Sequence, residues 1–144
     1  MTEKDTVTLL RKLSSGAKMG EESIKDTLKG VQSPQLRQCL ESSQEEHVKI
    51  MQTAAGLLNA YGLKAQSPSP MAVGMSKLKT AMMLAAKPED STVASLIMNG
   101  CNVGIKNLTK DLNRLQGASA PAAAAARQLI SNEIKLTEQM RKFL

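Results

Sequence analysis

The chain has no Trp, a single Tyr (Tyr61) and a single Phe (Phe143), and its β-branched residues never gather into runs. Strands of a β-sandwich or barrel draw on both residue classes, so their scarcity argues against an all-β fold. It also removes the aromatic platforms on which single-stranded nucleic acid stacks. Histidine is almost missing too. His47 is the only one, and once it falls on the core side of a helix no base remains for a Ser/His/Asp or Cys/His hydrolase. The two cysteines, Cys39 and Cys101, lie far apart and form no CxxC or Cys/His cluster, so reduced thiols are expected. No apolar run approaches the roughly 18 residues of a membrane helix. The polar start Met1-Thr2-Glu3-Lys4-Asp5 lacks the apolar core of a signal peptide, which points to the cytoplasm. The net charge of +6 is spread without a dense basic block, which disfavours nucleic acid as a partner.

What is present is a Leu-, Ala-, Lys- and Met-rich sequence of 144 residues, 42% of them hydrophobic. That length is one domain by the usual prior, with enough apolar material for one core. Apolar residues recur at helical spacing in long segments. A first helix over about residues 3–30 carries Val7, Leu10, Ala17, Ile24, Leu28 and Val31 on one stripe, interrupted by Ser14 and Glu21. Ser33 caps the next helix and Pro34, having no N–H to lose, starts it. A turn this short makes the two helices an antiparallel hairpin. The second helix, about 34–62, has Leu36, Leu40, Ser43, His47, Ile50, Ala54, Leu57 and Tyr61 on its stripe and ends at Gly62.

The connection that follows, about 30 residues long, contains Ser67-Pro68-Ser69-Pro70 and a short amphipathic helix over about 70–86. Its buried side is expected to be Met71, Met75, Leu78 and Met82, a lid over the core. The alternative is that the Met71, Met75, Met82 and Met83 cluster is an interface for a second copy or a helical partner. After Pro88, Asp90 or Ser91 can cap a helix over about 91–116 that carries Val93, Ile97, Cys101, Gly104, Leu108 and Leu112. Ser119 and Pro121 open the last one, about 120–143, with Ala122, Ala126, Leu129, Glu133, Leu136 and Met140 inward.

The halves repeat. Gly16-Ala17-Lys18-Met19-Gly20 aligns with Gly100-Cys101-Asn102-Val103-Gly104, and at the same offset Ile24, Leu28, Val31 and Gln32 fall on Leu108, Leu112, Leu115 and Gln116. The glycine pairs read as points of close helix packing. Two hairpins joined by one long helical crossover imply an all-α up-and-down bundle.

The repeat, the crossover and the polar residues in mid-helix resemble the ferritin-like superfamily. Within it the chain is similar to a bacterial ferritin-like four-helix-bundle family of unknown function. The likeness rests on Ser33-Pro34-Gln35-Leu36, the Met75–Met83 segment with Lys77-Leu78-Lys79, the Gly100–Gly104 helix and the closing Gln128-Leu129-Ile130. It implies two antiparallel hairpins with a short crossover helix. Metal-binding members carry a Glu on each of two helices and Glu-x-x-His on each of the others. Here Gln44-x-x-His47 keeps the imidazole without the carboxylate, Glu133-x-x-Leu136 keeps the carboxylate without the imidazole, and Ala17 and Cys101 stand where the resemblance implies acids. Bridging carboxylates for two irons are missing, so di-iron oxidase or ferroxidase activity is not expected.

Glu21, His47 and Glu133 remain on inward stripes. In one reading Glu21 and His47 hydrogen-bond across the first hairpin, and Glu133 is satisfied by Ser14, Ser43, Asn102 or Lys18. In the other, Glu21, His47 and Glu133, with Cys101 as a fourth ligand, hold one divalent ion, Fe, Mn or Zn. The first makes the chain a non-enzymatic bundle without cofactor that works through protein contacts, dimeric or with a helical partner. The second makes it a mononuclear metal protein.

Overall fold

A computed structural model describes residues 2–144. Among the described residues the chain is all-helical, with five α-helices and no strand: α1 (Glu3–Thr27), α2 (Pro34–Asn59), α3 (Pro70–Ala86), α4 (Asp90–Arg114) and α5 (Ala120–Met140). Three of the five begin as Ser-Pro chemistry dictates. The side chains of Ser33, Ser69 and Ser119 accept from the backbone N–H of Leu36, Ala72 and Ala122, and proline occupies the first turn each time, where no donor is lost. The turn that follows α2 passes through a left-handed Gly62, φ 71°, a conformation open to glycine because it lacks a Cβ.

α1 lies along α2 and α4 along α5, while α1 also packs on α4 and α2 on α5. Hydrogen bonds at both ends set the direction of α1 against α4. At one end the Asp90 carboxylate accepts from the backbone N–H of Gln32 (2.8 Å) and Ser33 (3.0 Å). At the other, Asp5 accepts from Gly117 N–H (2.9 Å) and the Thr6 hydroxyl from Ser119 N–H (2.9 Å). The start of α1 therefore meets the end of α4, and the two run antiparallel. Asp90, expected as a helix cap, instead ties one interhelical turn to the other; the N-cap of α4 is Glu89, which makes no side-chain cap hydrogen bond.

The interior divides into two apolar halves. One gathers Leu9, Leu10, Leu13, Ile50, Leu58 and Leu129, and the other Ile24, Leu36, Leu40, Val93, Ile97 and Leu136. Truncating any of the fully buried leucines to Ala costs about 2–5 kcal/mol. Between the halves the buried side chains turn polar: Ser43 and His47 on α2, Glu133 on α5. Tyr61, expected on the core stripe, is 38% exposed, because α2 has already ended at Asn59.

α3 corrects an expectation. Met71, Met75, Leu78 and Met82 face solvent, each more than 60% exposed, and Met83 is half-buried. The helix docks through its other side. Lys77 Nζ reaches Glu22 (3.1 Å) and Asp26 (3.0 Å) of α1, Thr80 is buried, and Leu84 packs on Gly30. The apolar stripe of α3 turns away from α1, whose outer side presents Glu22 and Asp26 to Lys77. No helix is long and apolar enough to cross a membrane among the described residues.

Candidate functional site

The polar layer is built from two like halves. His47 and Glu133 each stand fourteen residues past the N-cap serine of their helix, Ser33 and Ser119. Each presses on the second glycine of the repeated GxxxG on the helix beside it. A Cβ on Gly20 would lie 2.6 Å from the His47 ring atoms Cδ2 and Nε2, and a Cβ on Gly104 would overlap the Glu133 carboxylate. The glycines are there to admit these side chains. This corrects the reading of GxxxG as backbone-to-backbone packing, and the first glycine of each pair completes the correction: a Cβ on Gly16 or Gly100 meets nothing within 4 Å.

His47 and Glu133, 1% and 6% exposed, meet across the layer with Nε2 3.4 Å from Oε1. On the other side of the ring, Nδ1 is 2.7 Å from the Ser43 carbonyl oxygen. A carbonyl only accepts, so Nδ1 carries a proton and donates it. A proton must then lie between Nε2 and Oε1, since a bare nitrogen facing a carboxylate would repel it. Burial pushes the imidazole pKa down, but the Glu133 and Ser43 contacts outweigh it and leave it raised. Every buried side-chain nitrogen and oxygen among the described residues has a partner. The layer can hold and release one shared proton; it offers no free nucleophile.

The structure brings together three of the four residues singled out in the sequence. Cys101 lies near Glu133; burial, then the Glu133 charge, push its thiol up to about 12. Glu21 is elsewhere. Its carboxylate takes the Lys18 ammonium (3.3 Å) and the Gln44 amide (3.4 Å), so the expected Glu21–His47 bond is absent and His47 pairs with Glu133 instead. On α1 it is Gly20 that faces His47, and one helical step turns Glu21 about 100° away. Among the described residues no group of three or more His, Cys, Asp or Glu side chains is arranged to hold a metal ion. Here Nε2 and Oε1 engage each other, and Glu21 stands apart from them, held by Lys18 and Gln44.

Above the layer, α1, α3 and α4 enclose a cleft of about 670 Å³ that runs past Gly16, Gly20, Gly100 and Gly104 down to His47, Glu133 and Cys101. Sequence reasoning missed it. The signal was there in the paired glycines, which mark missing side-chain volume as readily as close packing. Comparison with protein-family models, with curated proteins and with solved structures finds no match.

Proposed function

We propose that the protein is a non-enzymatic ferritin-like four-helix bundle, α1, α2, α4 and α5, with α3 as the crossover helix and a metal centre that has degenerated into a structural polar layer. It works through protein contacts in the cytoplasm, with a second copy or a helical partner seated on the outward face of α3. One observation carries the first half of this reading: His47 spends both ring nitrogens inside the protein, on Ser43 and Glu133. Glycines at 20 and 104 leave no room for further carboxylates there. The second half is supported by Met71, Met75, Leu78 and Met82, an apolar stripe left in solvent. Methionine repacks readily against a partner, and exposed apolar patches mark contact surfaces.

The competing reading is a mononuclear ion at Glu21, His47, Glu133 and Cys101. Elemental analysis of protein produced in medium supplemented with Fe, Mn and Zn separates the two. The expected outcome is less than stoichiometric metal and a melting temperature unmoved by chelator. One tightly held ion per chain, removed by chelator with loss of thermal stability and missing from His47→Ala, would overturn the proposal. For the contact surface, sedimentation of the wild type beside a Met75→Gln/Leu78→Gln variant tests the dimer, and that variant is expected to lose any self-association.

A further inference from the structure

The cleft between α1 and α4 carries an inference that does not depend on the proposal above or on the outward Met face. We propose that it binds a small anionic amphiphile: a free molecule with a carboxylate head, held by Lys12 and Lys110, and an unbranched apolar tail laid along the glycine seam.

The space is real. The Cβ positions of Gly16 and Gly100 are open to 4 Å, and a volume of about 670 Å³ is in the range of small-molecule sites, roughly 300–1,000 Å³. The head position follows from charge and direction. Because α1 and α4 run antiparallel, Lys12 and Lys110, both lining the cleft, fall at the same end of it. Neither makes an ion pair among the described residues. Asp111, the carboxylate lining that end, is taken by Arg114 at 3.2 Å. Lys79 of α3 also lines the cleft, but at its opposite end, since Lys77 beside it reaches Glu22 and Asp26 of α1; an anion entering at the Lys12 end meets two ammonium groups without ion-pair partners.

The tail position follows from what lies beyond. Met19, Ile24, Ile97 and Leu136 are the apolar side chains of the remainder, set among Ser23, Thr27, Thr80 and Asn99. In the charged pair between them, both His47 ring nitrogens and Glu133 Oε1 are engaged inside the protein. From Lys12 to Ile24 the wall is about 18 Å long at about 1.5 Å per residue. That suits an extended chain better than a compact ring. Gly16 and Gly100 leave the wall open, so at those two points a linear tail packs directly against backbone.

The test is titration calorimetry of the full chain with dodecanoate below its micelle concentration, beside uncharged dodecanol and cationic dodecyltrimethylammonium. Saturable one-to-one binding of dodecanoate is expected, with the cation at least about tenfold weaker, as removing or reversing an exposed charge pair implies. Lys12→Gln/Lys110→Gln should bring dodecanoate down to the level of dodecanol. Gly100→Leu fills open space on a helix that prefers leucine to glycine, so it should abolish binding while helix content and melting temperature hold or rise. Met75→Gln/Leu78→Gln, on the outer face of α3, should bind as the wild type does. The proposal fails if dodecanoate shows no saturable binding, if the cation binds equally well, if Gly100→Leu binds unchanged, or if the outer-face variant is the one that loses the ligand.

Discussion

His47 and Glu133 stand 86 residues apart in sequence, yet Nε2 of one lies 3.4 Å from Oε1 of the other in the middle of the protein. They occupy matching positions in the two hairpins, and each is accommodated by a glycine on the neighbouring helix. A repeat of nearly identical halves would place two imidazoles or two carboxylates face to face, which repel. One of each makes a self-neutralising pair.

The repeated glycines should separate into two kinds. Gly16→Ala and Gly100→Ala, whose new methyl groups meet nothing within 4 Å, are expected to stabilise the protein by about 0.5–1 kcal/mol through helix propensity. Gly20→Ala and Gly104→Ala drive a Cβ into His47 and Glu133 and should destabilise it by about 1–3 kcal/mol despite the same propensity gain. Urea denaturation of the four variants measures this. Similar effects at all four positions would contradict the fit.

Stability should fall with rising pH. The folded imidazole pKa is raised above its ordinary 6.5, so the protonated pair contributes fully below that value and is lost as the pH climbs through the folded pKa. Glu133, Glu46 and the Ser43 carbonyl are the groups that raise it. Denaturation followed from pH 6 to 9 should show a decline that His47→Gln abolishes. In Glu133→Gln the decline should shrink, with an added loss of about 1–3 kcal/mol from the unpaired partner.

The two thiols should differ in reactivity. Cys101 is buried, and its pKa of about 12 leaves almost no thiolate near neutrality. Cys39 is half-buried. A disulfide reagent at pH 8 is expected to modify Cys39 in the native state and Cys101 only on unfolding, as mass spectrometry would show; fast modification of Cys101 would mean the layer opens readily.

α3 should be separable from the rest. Its attachment depends on Lys77, which bridges Glu22 and Asp26, and on little buried surface, Thr80 being its one fully buried residue. Exposed ion pairs contribute at most about 1 kcal/mol each, so Lys77→Ala should hardly shift the global melting temperature. Hydrogen exchange in α3 should nevertheless accelerate while α1 and α4 keep their protection.

Much of this was readable in the residues. Ser33, Ser69 and Ser119 announce their helices through local capping, which needs nothing beyond the next three residues. The inward stripes from Leu10 to Ile24, Glu21 apart, and from Leu36 to Ala54 follow from helical period and are buried. The Met stripe of α3 was misread because period reports that a face exists and not what will cover it. Glu21 was misread because a position one residue from the true facing residue still looks inward on a wide stripe.

By itself the sequence determined the helices, their caps, the turns and the polar interruptions of the apolar stripes, since all of these depend on neighbours within a turn or two of the chain. Only the tertiary structure decided that His47 answers Glu133 and not Glu21, that the first glycines open a cleft while the second ones seat side chains, and that α3 turns its methionines outward. Those outcomes rest on ångström-level placement of separate helices, where the rotation of one helix by a single residue changes every partner it meets.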